Sequence, residues 1–192
     1  MANICCDDVY FYSNEAPERL NALWKDIETS IQIDHNTNRS WIGNLFAQRN
    51  LALPQGRLRG NITYKERNED NILLELSVAW SPLHDAYMAL ADFYGVSFVM
   101  QSMEPGEGIY INTDRTGQFF PDYYLVLIEE EGMLTPSGKP ISDLLENYAT
   151  FPSKEDIRNR LKKLGYDFQS LEEMNLFFKE HDISLYEFVD YD

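Results

Sequence analysis

An alternation of apolar and polar residues in two segments between positions 57 and 80 constrains the fold more than any other feature of this sequence. In residues 57–67 the apolar side is formed by Leu58, Ile62 and Tyr64. In residues 72–80 it is formed by Ile72, Leu74, Leu76, Val78 and Trp80. A period of two fits a half-buried β-strand and does not fit a helix, whose period is about 3.6 residues. The polar residues 68–71 separate the two segments, so we expect an antiparallel hairpin.

Two amphipathic segments flank the hairpin and predict helices. Residues 17–31 carry apolar residues at three- and four-residue spacing, which places them on one helix face. The second helix starts at Ser81-Pro82, where a serine hydroxyl can accept backbone hydrogen bonds and proline is favoured in the first turn. It ends at Gly95, a residue suited to the left-handed conformation that closes helices. Further strands are expected at residues 3–12, 96–103, 109–112 and 123–129.

The order of these elements predicts an α+β fold. A βαββαβ order with extra antiparallel strands is typical of a ferredoxin-like sandwich, in which helices pack on one face of an antiparallel sheet. We assign this domain to residues 1–132, with residues 34–56 as an inserted excursion carrying one short helix. Residues 136–192 are expected to form a small helical C-terminal subdomain, with helices near residues 141–149, 154–164 and 170–181.

The charge balance narrows the classes of partner. The formal net charge is −16, with 32 acidic against 16 basic residues. Such a surface repels nucleic-acid phosphates and anionic lipids and attracts basic proteins. The sequence also lacks an apolar run of membrane-spanning length and a signal peptide, so we expect a cytoplasmic protein with no membrane association.

Two segments carry a resemblance to a known family. The first is the N-terminal pattern formed by Asn3, Cys5, Asp7, Val9 and Phe11. The second runs from Val78 through Trp80-Ser81-Pro82 and the following helix to the turn Glu104-Pro105-Gly106. Over residues 1–130 the chain resembles the YubB-type ferredoxin-like family of bacterial proteins common on plasmids, phages and conjugative elements.

The chain departs from the family pattern at several positions, and the resemblance implies little about function. Asp7 replaces the asparagine usual in that family, Ile4 stands where a tryptophan is common, and residues 109–111 follow the family pattern only loosely. The resemblance implies the fold and an origin in a mobile element. It implies no catalytic activity.

The segment Ser81, His84 and Asp85 raises the question of a hydrolytic triad. A triad needs the serine hydroxyl free to face an imidazole that a third group orients. A serine at a helix start already uses its oxygen on backbone N–H groups. We therefore interpret the three residues as a helix cap and a solvated helix surface, with no catalytic residues.

Other polar clusters receive structural interpretations as well. Cys5 and Cys6 are adjacent, so they would point to opposite faces of a strand rather than form a zinc site with His35, His84 and His181. Glu104, Glu107 and residues 129–131 are acidic groups at turns and strand ends, without the spacing of a calcium-binding loop. No metal and no cofactor are predicted.

A basic run and an open pocket complete the candidates. The basic residues are Lys154, Arg158, Arg160, Lys162 and Lys163, and they are interpreted as a solvated helix face that suits the helix C-terminus. A pocket between the sheet and the C-terminal helices would use Glu104, Tyr110 and His84 as its polar groups.

The sequence favours a non-enzymatic protein-interaction module with a basic protein partner, and the family resemblance implies that it belongs to a mobile element. The first alternative is a small-ligand-binding domain or enzyme that uses the pocket between the sheet and the C-terminal helices. The second is an acidic protein that imitates DNA and occupies a basic nucleic-acid-binding protein.

Overall fold

The computed structural model describes residues 3–33, 38–54, 58–129, 132–143, 145–146 and 148–191. The chain divides into two compact units. Unit 1 comprises residues 1–115 and 190–192, and unit 2 comprises residues 116–189. Each unit combines helices with an antiparallel sheet, which confirms the α+β class predicted from the sequence.

The sheet of unit 1 has five strands in the order β2-β3-β1-β4-β5. The strands are β1 (Ile4–Tyr12), β2 (Gly60–Arg67), β3 (Asn71–Ala79), β4 (Ser97–Glu104) and β5 (Ile109–Asn112). Every neighbouring pair is antiparallel. The hairpin predicted from the alternating residues is thus confirmed as β2 and β3.

Helices cover one face of this sheet. They are α1 (Pro17–Ser30), α2 (Gly43–Gln48) and α3 (His84–Tyr94). Their apolar stripes meet the alternate strand residues that include Val9, Leu74 and Met100 in one buried core. Gly95 ends α3 with a φ of 66°, in the left-handed conformation expected of it.

A polar network fixes α2 against the two longer helices. Asp26 of α1 accepts hydrogen bonds from Arg49 Nη2 at 2.8 Å, from Tyr94 Oη at 2.5 Å and from Gln48 Nε2 at 3.1 Å. Burial opposes ionisation of Asp26, but the hydrogen bonds from Arg49 and Tyr94 hold the pKa of this carboxyl below its usual value. The predicted excursion therefore packs into the core around Ile42, although its residues 34–37 and 55–56 lie outside the described residues.

Two residues of the hairpin lie where the alternation did not place them. A β-bulge between Ile62 and Tyr64 turns Tyr64 to the face that the helices leave open, where its exposed fraction is 43%. Trp80 lies beyond the end of β3 with a φ of 75°, and its exposed fraction is 46%. The prediction that both side chains lie on the covered face was wrong, because the alternation is interrupted at each of these places.

Unit 2 contains a sheet of its own. Its strands β6 (Tyr124–Ile128), β7 (Tyr148–Phe151) and β8 (Ile183–Glu187) have the order β7-β6-β8. Helices α4 (Lys154–Lys163) and α5 (Leu171–Glu180) pack against this sheet around Met174. The N-cap serines of both helices, Ser153 and Ser170, accept hydrogen bonds from backbone N–H groups.

The predicted helical subdomain at residues 136–192 is corrected by this sheet. The predicted boundary after residue 132 moves to Arg115, because β6 pairs with β7 and β8 and with no strand of unit 1. The segment predicted as a helix at 141–149 contains a short 3-10 turn and β7 instead. Strands of four and five residues carry too little alternation to be distinguished from helix ends in the sequence.

No helix in the described part of the chain is both long and apolar enough to cross a membrane.

Candidate functional site

The face of the unit 1 sheet that lies opposite the helices, hereafter the open face, carries the candidate functional site. Alternate residues of β1 point to this face, beginning with Ile4 and Cys6 and continuing through Asp8 and Tyr10. The intervening residues point into the core. The open face also carries the apolar residues Leu73 and Val99, and it is buried at its β4–β5 side, where Val99, Tyr110 and Asn112 are each less than 9% exposed.

A row of polar side chains crosses this face from one edge of the sheet to the other. The strand register places the following residues side by side: Tyr64, Glu75, Asp8, Gln101 and Asn112. Directly paired residues on antiparallel strands share a face, and their Cβ atoms lie about 5 Å apart. The row is hereafter called the polar row.

The centre of the polar row brings two carboxylates together. Asp8 of β1 pairs directly with Glu75 of β3. Burial, followed by the charges of Glu75 and Asp7, raises the pKa of the Asp8 carboxyl to about 6. Like charges that face each other across two strands destabilise a sheet, so this pair is costly for the fold.

Tyrosine rings flank the two carboxylates. Tyr10 follows Asp8 on the same face of β1, and Tyr64 pairs with Glu75 from β2. Burial, followed by the charges of Asp8 and Glu66, raises the pKa of the Tyr10 hydroxyl. The faces of both rings can attract a cation.

No cation of the described chain neutralises this surface. Within the described ranges, no side chain forms a hydrogen bond or an ion pair with the carboxylates of Asp8, Glu66 or Glu75. Lys65, the neighbour of Tyr64, points to the covered face, where its Nζ lies 2.5 Å from Glu28 Oε1 and 5.4 Å from the centre of the Trp24 ring. The centre of the open face thus presents negative charge between aromatic rings, while the exposed Arg59 lies opposite Ala79 at the end of β3.

The neighbouring carboxylate Asp7 shows what a structural role looks like in the same strand. Its Oδ2 accepts from the Leu83 N–H at 3.0 Å and from Tyr87 Oη at 2.6 Å, and it is fully buried. Leu83 is the residue before the first turn of α3, so this hydrogen bond ties the start of the helix to β1. The prediction that Ser81 caps the helix was wrong, because α3 begins at His84, its N-cap residue is Leu83, and no side chain caps it.

The three residues predicted to line a ligand pocket do not converge. Glu104 points to the covered face and accepts backbone hydrogen bonds from Gly106 at 3.1 Å and Glu107 at 2.5 Å, which stabilise the turn between β4 and β5. Tyr110 and Cys6 both pair with Met103, from opposite sides of β4. Tyr110 therefore points to the same face as Cys6, which is the open face. His84 stacks on Tyr191 at a ring distance of 4.0 Å.

The geometry around His84 offers no nucleophile. Its Nδ1 lies 3.7 Å from Asp85 Oδ1, which is beyond hydrogen-bond distance, and this atom has no hydrogen-bond partner among the described residues. Ser81 is exposed and forms no described side-chain hydrogen bond with His84. The described geometry brings together no serine, base and orienting acid.

The cysteines and the basic run lie apart from the polar row. Cys5 is buried on the covered face and donates to Asp7 at 3.4 Å, while Cys6 is exposed on the open face. Burial is the main cause that raises the pKa of both thiols. Among the described residues no cluster of histidine, cysteine and acidic side chains is suited to hold a metal ion, and His35 lies outside them.

The basic run forms part of α4 in unit 2. Arg158 pairs with Glu155 at 2.6 Å, and Lys162 lies 3.6 Å from Asp167. The last turn of the helix is basic, as the helix dipole favours. These contacts fit the solvated helix face expected from the sequence.

Comparisons of this chain with protein-family models, with curated proteins and with solved structures found no match. The chemistry of the site therefore has to be derived from its own residues.

Sequence reasoning missed the polar row. Asp8 and Glu75 are far apart in the chain, and only the pairing of β1 with β3 places them side by side. Tyr64 joins the row only because of the bulge. The one available signal was the charge at Asp8 and Glu75 within segments whose other residues are mostly apolar or aromatic.

Proposed function

We propose that this protein is a protein-interaction module whose open face binds a basic segment of a partner protein. The single observation that carries the proposal is the direct pairing of Asp8 with Glu75, two carboxylates that no described side chain neutralises. A lysine or arginine of the partner would remove the repulsion between them and form charge-assisted hydrogen bonds. The bordering rings of Tyr10 and Tyr64 would add a cation–π contribution.

The fold supports this reading of the surface. We propose a ferredoxin-like domain for unit 1, supported by the strand order β2-β3-β1-β4 and by the helices that connect β1 to β2 and β3 to β4. In such a sandwich one sheet face stays available for binding. The resemblance to the YubB-type family would add an origin in a mobile element.

The test uses a labelled peptide in which arginine alternates with glycine and serine, together with a glutamate peptide of the same design. We expect the arginine peptide to bind and the glutamate peptide to fail. Replacing both carboxylates (Asp8→Asn with Glu75→Gln) weakens arginine-peptide binding about tenfold, which corresponds to ~1.4 kcal/mol.

The matched control removes the same charge from the helix side of unit 1. Glu18→Gln with Asp92→Asn changes two exposed carboxylates on α1 and α3. We expect this control to weaken binding by less than about twofold at moderate salt, because exposed charges at this distance are screened. Equal losses in both double variants would mean that the overall charge binds the peptide, as in a DNA mimic, and would refute the proposal.

The aromatic contribution is separable from the charge. Tyr64→Phe keeps the ring face and Tyr64→Leu removes it. We expect binding close to the unchanged protein for Tyr64→Phe and about threefold weaker binding for Tyr64→Leu, in line with an exposed cation–π interaction.

A further inference from the structure

A groove opens at one end of the open face, beside the polar row. It has a volume of about 460 Å³ and lies where β1 and β2 begin and β3 ends. Its lining belongs to unit 1 and combines Ile4 and Trp41 with the polar side chains of Arg59, Asn61 and Ser77. The groove and the polar row therefore form one continuous surface on β1 and β3.

Ile4 and Trp41 form the apolar part of the groove wall, which can contact a bulky apolar side chain, and Arg59 and Asn61 form a polar part. Ile4 has an exposed fraction of 61%, although isoleucine is among the residues most often buried in proteins. The Trp41 ring is held in place because its Nε1 donates to the Leu58 carbonyl at 2.7 Å and because the ring occupies the space that a side chain at Gly43 would need. An exposed isoleucine beside a fixed indole provides apolar area that a partner can cover.

Backbone strain marks the same end of the sheet. Trp80 follows the lining residue Ala79 and has a φ of 75°. The Ser81 N–H donates to the Ala79 carbonyl at 3.0 Å, which closes a tight three-residue turn around Trp80. Such strain is retained mainly where a surface has a functional role.

The spacing between the groove and the carboxylates is set by the strands. Ile4 and Asp8 lie four residues apart on β1, and Glu75 and Ala79 lie four residues apart on β3. At a rise of about 3.4 Å per residue this separation is roughly 14 Å. An extended partner segment spans the same distance between its residues i and i+4, and both of these side chains point to the same side.

From this spacing we infer that the partner segment is extended and carries a basic residue and a bulky apolar residue four positions apart. The basic residue contacts Asp8 and Glu75, and the apolar residue fills the groove beside Ile4 and Trp41. This inference rests on the proposed function and adds the sequence pattern that the open face selects.

The test is a set of ten-residue glycine–serine peptides that contain one arginine and one leucine. The two residues are separated by two, three or four positions, in both chain directions, and a further peptide contains the arginine alone. We expect the four-position peptide, in one direction or both, to bind about tenfold tighter than the arginine-only peptide. The three-position peptide points its leucine to the opposite side, and the two-position peptide falls short of the groove, so both bind like the arginine-only peptide.

A matched pair of isoleucine variants tests whether the tighter binding of the four-position peptide depends on the groove. Ile4→Thr is expected to remove the advantage of the four-position peptide, and Ile33→Thr, at another exposed isoleucine, is expected to retain it. Ile4 is 61% exposed and Ile33 is 39% exposed, and neither belongs to the buried core, so neither variant is expected to unfold the protein. Circular dichroism checks the fold of each variant.

The outcomes separate the inference from the proposed function. Equal affinity at all spacings, or an advantage that survives Ile4→Thr, overturns the inference, while the proposed function stands if arginine binding still requires Asp8 and Glu75. Failure of every arginine peptide to bind the unchanged protein overturns both.

Discussion

Asp7 and Asp8 are neighbours in the chain, yet they point to opposite faces of the same sheet and meet opposite surroundings. Asp7 is buried under α3 and accepts hydrogen bonds from Leu83, Tyr87 and Cys5. Asp8 faces the carboxylate of Glu75 and has no described hydrogen-bond donor. The contrast teaches that burial alone does not define a functional carboxylate, since the surrounding donors decide whether its charge is already used by the fold.

The largest expected effect is the difference in stability between variants of Asp7 and variants of Asp8. Asp7→Ala leaves the Tyr87 hydroxyl and the Leu83 N–H without their acceptor, so we expect the free energy of unfolding to fall by about 3 kcal/mol. Asp7→Asn keeps an acceptor oxygen and is expected to cost about 1 kcal/mol. Urea unfolding of these variants and of Asp8→Ala measures the contrast, and comparable losses for Asp7→Ala and Asp8→Ala would contradict it.

A second effect tests another carboxylate whose charge is used by the fold. Arg49→Met removes the main partner of the buried Asp26, so we expect the free energy of unfolding to fall at neutral pH. Because the pKa of Asp26 is lowered in the folded protein, its stabilising contribution is present above the unfolded pKa and is lost as the pH falls below about 4. The difference between the two proteins should therefore shrink in acid, whereas Arg59→Met, at an exposed arginine, should show no such trend.

A smaller effect concerns Trp80, which follows β3 and does not lie on the covered face. Trp80 has a positive φ, which glycine adopts without strain. We expect Trp80→Gly to be more stable than Trp80→Ala by about 1 kcal/mol. Thermal unfolding compares the two variants, and a more stable alanine variant would show that the turn is not strained.

The smallest expected effect has the opposite sign from the first. Asp8→Asn relieves the repulsion with Glu75, so we expect a gain of about 0.5 kcal/mol at pH 7. A pKa raised to about 6 means that the folded protein binds this proton more tightly than the unfolded chain, so protonation stabilises the unchanged protein as the pH falls through 6. The gain should disappear towards pH 4, and a gain that is constant with pH would contradict the assignment.

Part of this molecule could be predicted from the sequence alone. The long period-two segment predicted β3, and the apolar stripes predicted α1 and α3, because each is a local pattern that burial on one face imposes. The short strands β7 and β8 could not be predicted, since they depend on β6 as a pairing partner. The sequence shows that Asp8 and Glu75 are acidic, but not that they are neighbours. Their pairing follows from the register of β1 and β3, which cannot be derived from either segment alone.

The most direct test of the central claim follows the Asp8 carboxyl itself by carbon-detected NMR. A pH titration is recorded with the protein alone and with the peptide that carries arginine and leucine four positions apart. We expect a pKa near 6 for the free protein and a clear decrease with the peptide, because a bound guanidinium favours the ionised carboxylate. An Asp8 pKa that is the same with and without saturating peptide would contradict binding at the open face.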